Sequence, residues 1–369
     1  MADPAPRKVA VVHDWLTGMR GGEKVLEAIL ELFPASDLFT LFHRKGSVSA
    51  AIEAHPIQTS YLQNLADRVG DYRRLLPLFP HAVSRWNFSG YDLVISSSHC
   101  AAKGVITNDV PHLSYCHTPM RYIWDRFDDY FPQERPLLRA LAGPVASALR
   151  RWDVQSSDRV DLFVANSNFV KSRIRKYYER DSSVIHPFVD EQFLERDLEN
   201  ERSDFHLLIT ALVPYKRVDR AIAAAARSGR SLVIIGDGPL RRQLQSNSPP
   251  NVRFLGFVST EVILQHLAQA RSLILPGTED FGITPLEAMA CGTPVVALNG
   301  GGVVDSVIDG MTGILFSEPT EDHLMDALDL VETSTWNRQS IRDHASTFSR
   351  KRFLEQFGAA VQGMTKPVR

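Results

Sequence analysis

The chain has 369 residues, 44% of them apolar and 23% charged, with a formal net charge of −2. That length and composition suit two α/β domains of an ordinary globular protein better than one core. The near-neutral balance lacks the basic stripe of a nucleic-acid binder, and no run of about 18 uncharged apolar residues would make a membrane-spanning helix. Cys100, Cys116 and Cys291 are scattered, with no CxxC pair, which argues against a zinc site or disulfide framework and for a reducing, cytoplasmic setting.

The Pro/Ala-rich start, Met1 to Lys8, lacks the apolar core of a signal peptide. The run 8–13 (KVAVVH) reads as a strand, 14–22 as a loop with Gly18, Gly21 and Gly22, and 23–33 as a helix whose Val25, Leu26, Ile29, Leu30 and Phe33 share a face. Strand, glycine turn and helix open a doubly wound sheet. Further strands are expected at 91–96, 111–116 and 161–165. Two segments, Tyr61 to Trp86 and Pro136 to Trp152, mix arginines with leucines and other apolar residues. That pattern fits a surface resting on anionic lipid, and it also fits ordinary amphipathic core helices.

The first domain is expected over 1–190, and the polar stretch 194–204 reads as a linker or surface loop. A second strand-helix series follows over 203–349, with strands at 205–210, 231–235, 252–254, 272–275, 293–297 and 313–316. Near-continuous apolar runs such as LVII (232–235) mark strands buried on both faces. A C-terminal helix, about 350–369, is expected to pack back on the first domain.

The densest signal follows the strand at 272–275, in GTEDFGITPLEAMACGTPVV (277–296). Open α/β sheets bind ligands beyond the carboxyl ends of their strands. Gly282 would let the backbone approach a ligand, Thr284 would cap the next helix, Pro285 suits its first turn, and Glu287 would complete a capping box. Unpaired amides at that helix start, near Phe281, Gly282, Ile283 and Thr284, would favour a diphosphate. Capping alone also accounts for Glu287. Glu279 precedes the helix, with seven residues between it and Glu287, and carboxylates suit sugar and ribose hydroxyls.

This E-x7-E element, in its FGITPLEAMACGTPVVA setting, resembles the retaining glycosyltransferases of family 4, over nearly the whole chain. The resemblance implies the GT-B fold, two Rossmann-like domains facing across a cleft, and a nucleotide-sugar co-substrate without any other cofactor or metal. In ALVPYKRVD (211–219) it implies that Lys216 meets the donor diphosphate. Many relatives carry an arginine a few residues earlier; Ala211 stands at the corresponding place, and Arg217 is the natural substitute. The turn at Gly236 to Pro239, with Gly238, lacks the third glycine of a dinucleotide fingerprint and resembles the family's turn near the nucleotide, as does the stretch around Phe257 beside the base.

In the first half, Gly21 and Gly22 lie in a loop that lines the family's cleft, although a tight turn needing glycine φ angles would also explain them. His117 follows the strand at 111–116 and matches a histidine that relatives use near the donor sugar. Arg121, Tyr122 and Trp124, on a helix-like stretch, are expected on the acceptor side. The resemblance is strongest to bacterial surface-polysaccharide mannosyltransferases that use GDP-mannose, with a UDP-sugar as second choice. A nucleotide-sugar 2-epimerase and a non-catalytic sugar-nucleotide-binding subunit are the rivals. The expected partners are the nucleotide sugar and a glycan or lipid-linked acceptor, with peripheral contact at the inner face of a membrane left open.

Overall fold

The computed structural model describes residues 8–130, 136–195 and 202–364. The expectations for Met1 to Arg7, for the middle of the 194–204 stretch and for the last five residues fall outside them. The chain divides into two compact units, Met1–His186 with Leu354–Arg369, and Pro187–Phe353.

The first unit holds a seven-stranded, all-parallel sheet. In chain order its strands are β1 (Val9–His13), β2 (Asp37–Thr40), β3 (Ile57–Thr59), β4 (Leu93–Ser98), β5 (His112–Cys116), β6 (Leu162–Ala165) and β7 (Ser183–Val184). Their order in space is β3-β2-β1-β4-β5-β6-β7. Every residue of β1, β4 and β5 is buried, as central parallel strands covered on both faces must be. The chain reverses direction across the sheet between β1 and β4, which creates the crevice where such sheets take ligands.

The second unit repeats the plan with β8 (His206–Ile209), β9 (Leu232–Ile235), β10 (Val252–Gly256), β11 (Leu273–Leu275), β12 (Val295–Leu298) and β13 (Gly313–Phe316). The order is β10-β9-β8-β11-β12-β13, again all parallel, with the switch point between β8 and β11. The helix Ile283–Ala290 packs on one face through Leu286, Ala288 and Met289, all fully buried. On the other face the helix Val218–Ser228 buries Val218, Ala221, Ile222, Ala224 and Ala225.

The joint between units lies earlier than the polar stretch suggested. Val189 and Phe193 are buried in the core of the second unit, and burying such side chains stabilises by about 1.5–3 kcal/mol each. At the far end of the stretch, the Arg202 guanidinium donates to the carbonyls of Ala270 and Gly292. Two apolar residues before 196–201 and one arginine after them thus belong to the second unit. The helix Arg350–Gly363 carries the chain back, and Phe357 packs against Tyr115 of the first sheet with ring centroids 6.1 Å apart.

Candidate active site

In the second unit, the loops after β8, β9, β11 and β12 meet at the carboxyl edge of the sheet. After β8 the chain makes a short 3-10 turn, Pro214–Lys216. Lys216 Nζ donates to both carboxylate oxygens of Glu279, which comes from the loop after β11. Both side chains are 15% exposed, so the pair sits in a partly enclosed site open to a ligand. The two loops touch backbone to backbone at Gly277, where a Cβ would stand 2.6 Å from the Tyr215 carbonyl oxygen. Glu279 is held from its other side by Gly302, whose N–H donates to the Glu279 carbonyl at 2.8 Å. Lys216 and Glu279, 63 positions apart, are therefore brought together by rigid backbone contacts.

Three expectations around this pair change. The helix begins at Ile283, with Gly282 (φ 85°) as its N-cap and no side-chain cap, so Thr284 lies inside the first turn and the capping box does not form. Positive φ at Gly282 starts the helix two residues earlier than a threonine cap requires, and leaves the first-turn amides without a side-chain partner at the cap. Phe281 is 2% exposed and its ring lies 6.2 Å from Phe348, so its side chain belongs to the core and only its backbone is placed to meet a ligand. Arg217 turns away from the pair: its guanidinium grips Asp219 at 2.7 and 3.0 Å from a backbone with φ 52°. The left-handed backbone beside Lys216 thus places the Arg217 guanidinium on Asp219.

The remaining expected contacts are spread along the same edge. A Cβ on Gly238 would come within 2.5 Å of the Leu212 carbonyl oxygen, so this glycine is explained by the turn packing on the β8 loop. Phe257 is 88% exposed at the end of β10. Ile283 packs partly against the core, and Glu287 is half-buried within the helix.

In the first unit, His117 leaves β5 at the sheet edge, but it is not alone. His13 ends β1, Ser97 and His99 lie at the end of β4, and Glu23 stands in the first turn of the helix Gly21–Leu32. The His13, His99 and His117 ring centroids are 6.1–6.4 Å apart. Asp14, fully buried, accepts the backbone N–H groups of His99, Cys100, Ala101 and Ala102 at 2.6–2.9 Å and fixes the loop after β4. Burial pushes the His117 pKa well below its ordinary value, and the neighbouring His99 and His13 push the same way, so the ring is neutral. Burial lowers His99 too, against the pull of Asp14.

Neither Gly21 nor Gly22 has a positive φ, which removes the turn explanation for them. Gly22 lies beside two imidazoles, where a Cβ would make ordinary contact at 3.8 Å with the His117 ring and 3.9 Å with His13, so packing does not require glycine there. Residues 121–126 form successive turns, not a helix, with Arg126 N–H donating to the Arg121 carbonyl at 3.0 Å. Trp124 is used internally, its indole N–H donating to Asp153 at 2.8 Å and its ring stacked on Tyr177. Arg121 and Tyr122 are half-buried, Tyr122 against the core. The sequence reading missed His13, Asp14, Glu23, Ser97 and His99, although the strand-end rule that singled out His117 applies equally to the ends of β1 and β4. Among the described residues, no group of three His, Cys, Asp or Glu is arranged to hold a metal, and no helix is long and apolar enough to cross a membrane.

Two parallel sheets, each with its switch point at the strand preceding the first crossover, define the GT-B glycosyltransferase fold. Anabaena HepE, solved in complex with UDP, shares it with a TM-score of 0.67 at 18% identity, over 96% of this chain and 100% of that one. The family model Glycosyltransferase Family 4 matches residues 21–193, and Glycosyl transferases group 1 matches residues 189–348. The chain thus carries both domains of a family-4-like glycosyltransferase. O-antigen chain mannosyltransferase C of Escherichia coli is 30% identical over 54% of this chain and 57% of its own length. Alpha-1,3/1,6-mannosyltransferase ALG2 of Saccharomyces cerevisiae is 25% identical over 85% of this chain and 73% of its own. The chain spans about half the length of the first curated relatives it matches.

Proposed function

We propose that this protein is a retaining glycosyltransferase that moves a hexose, mannose from GDP-mannose as first choice, onto a glycan or lipid-linked saccharide. The observation that carries this reading is the Lys216–Glu279 pair at the switch point of the second sheet, beside a helix start without a side-chain cap. When a nucleotide sugar enters, the Lys216 ammonium turns from Glu279 to the diphosphate and stabilises the charge that grows as the sugar–phosphate bond breaks. The amides of Ile283 and Thr284 take phosphate oxygens. Glu279, released, accepts a sugar hydroxyl, and Glu287 takes the ribose. Lysine and helix amides meet the diphosphate charge in this scheme, and no metal is assigned a role. Retention follows the family's usual proposal, with attack on the face the leaving group departs from and the leaving phosphate taking the acceptor's proton.

The mannose assignment is supported by the two mannosyltransferases among the relatives, and a UDP-sugar by the UDP bound to HepE. Thermal denaturation with GDP, GDP-mannose, UDP and UDP-glucose tests it, because a ligand of the folded state raises the melting temperature. Stabilisation by the guanine nucleotides alone, lost in Lys216→Ala, is the expected result. A response to uridine nucleotides alone would move the donor to a UDP-sugar. Conversion of the nucleotide sugar without an acceptor would favour the epimerase.

A lipid-linked acceptor draws support from the first unit. There the two basic-apolar segments meet around a cavity of about 610 Å³ lined by Trp15, Phe79, Ile123 and Leu149, with exposed Arg73 and Arg74. That volume is within the range of small-molecule sites, about 300–1,000 Å³, and its chemistry suits a hydrocarbon with an anionic head. Co-sedimentation with vesicles containing a polyprenyl phosphate, weakened in Arg73→Glu/Arg74→Glu, is expected. Equal binding by the variant would remove this support.

A further inference from the structure

The function proposed above gives no role to the polar side chains at the edge of the first sheet, among them His117, which leaves β5 there. Three others form a line that ends on His117. Ser97 Oγ lies 3.0 Å from His13 Nδ1 and 2.8 Å from His117 Nε2. The other nitrogen of His13, Nε2, faces Glu23 Oε1 at 3.7 Å, and within this buried ring it has no hydrogen-bond partner. Glu23 is itself anchored, accepting the Arg20 backbone N–H at 3.0 Å.

A serine hydroxyl has one proton and donates to only one of two imidazoles. Suppose it donates to His117. A neutral His13 must then carry its proton on Nδ1 and turn the lone pair of Nε2 toward the Glu23 carboxylate. Two acceptors facing each other in a buried site repel. The opposite direction removes the conflict. His13 carries its proton on Nε2, toward Glu23; Ser97 donates to His13 Nδ1; His117 donates from Nε2 to Ser97. His117 Nδ1 is left as a lone pair, and that atom makes no hydrogen bond among the described residues.

We propose that Glu23, His13 and Ser97 set the tautomer of His117, holding its proton on Nε2 so that Nδ1 accepts a hydrogen bond from a sugar hydroxyl. The three are positioning residues, since each acts through the next. The sugar hydroxyl rests on the glycosyltransferase reading; the tautomer does not. Which nitrogen of an imidazole is protonated is set by the bond its other nitrogen makes. Burial pushes the Glu23 carboxyl up, but the nearby imidazoles of His13 and His99 outweigh it and hold it below the usual range, as a carboxylate. The remaining charged groups nearby, Asp14 and Arg121, act on His99, outside the line.

The test is nitrogen-15 spectroscopy of the histidine-labelled full chain at about pH 8, above the ordinary imidazole pKa. His117→Gln and His13→Gln assign the signals. The wild type is expected to show His117 and His13 protonated on Nε2 and bare on Nδ1. In Ser97→Ala the His117 tautomers mix, and Ser97→Thr restores the wild-type pattern. In His13→Phe the serine is free to donate to His117, whose proton moves to Nδ1; this variant also serves should Ser97→Ala fail to fold. A wild-type His117 protonated on Nδ1, or a pattern unmoved by both Ser97→Ala and His13→Phe, overturns the proposal.

Donor turnover supplies the second arm. Ser97→Ala is expected to lose about 10–100-fold in kcat, the scale for removing the orienting partner of a functional imidazole, with donor affinity held. A changed tautomer with full turnover overturns the positioning role. A wild type with the expected spectrum but no turnover of any nucleotide sugar overturns the sugar-hydroxyl part and the function proposed above, while the tautomer assignment stands.

Discussion

Asp14→Asn tests whether one buried charge organises the edge of the first sheet. The carboxylate is fully buried; one oxygen accepts His99 N–H at 2.7 Å and Cys100 N–H at 2.9 Å, the other Ala101 at 2.6 Å and Ala102 at 2.8 Å. An amide of the same shape keeps one acceptor oxygen and turns an NH2 group on the other two donors. Two hydrogen bonds to a charged group disappear, at about 1.5–3 kcal/mol each, so the expected loss is about 3–6 kcal/mol. In a unit of this size each kcal/mol moves the melting temperature by about 2–4 °C, so the first unit should melt about 6–24 °C lower. Calorimetry of the full chain reads the shift. The loop concerned carries His99 and continues from Ser97, so turnover should fall as well. A shift below about 2 °C with turnover intact would refute the claim that Asp14 holds this loop.

His112 makes a pH prediction with a definite sign. Burial lowers its pKa from 6.5 to about 4, with its nitrogens facing the Arg159 carbonyl and Ser96. The unfolded chain takes up this proton near pH 6.5 and the folded chain only near 4, so stability present above 6.5 is lost as pH falls through that window. Its share is up to about 3 kcal/mol. His112→Gln should flatten the slope in urea denaturation between those limits, though not abolish it, because His99 and His117 are shifted the same way; an unchanged slope would count against the assignment. Gly302→Ala should disturb the donor site, because its Cβ would stand 2.0 Å from the Asp280 carbonyl oxygen and push the loop that carries Glu279. About 100-fold lower turnover is expected, the scale of an ångström-sized misplacement. Gly300→Ala, where a Cβ meets nothing within 4 Å, is the control and should be neutral.

What the sequence revealed and what it hid follow from interaction range. Strands such as LVII announce themselves because burial on both faces demands an unbroken apolar run, whereas β3 and β7, with three and two residues, have no pattern to read and exist through pairing alone. Lys216 and Glu279 were found separately, one from each loop, but their direct contact depends on Gly277 and Gly302, whose need for glycine is visible only once the loops are packed. Phe281 sits within the strongest motif and still belongs to the core, since a motif does not record which way a ring points. Asp14 and Ser97 were passed over because each gains its role from partners more than 80 or exactly 20 positions away.

The central claim, transfer from a nucleotide sugar at the Lys216–Glu279 site, is tested most directly by following release of GDP from GDP-mannose, with UDP-glucose in parallel. The assay should contain a lipid-linked saccharide acceptor. The account predicts acceptor-dependent release by the wild type and loss of about 100-fold or more in Lys216→Ala and Glu279→Gln, the scale for removing a group that stabilises transition-state charge. Release that proceeds unchanged in both variants would contradict it.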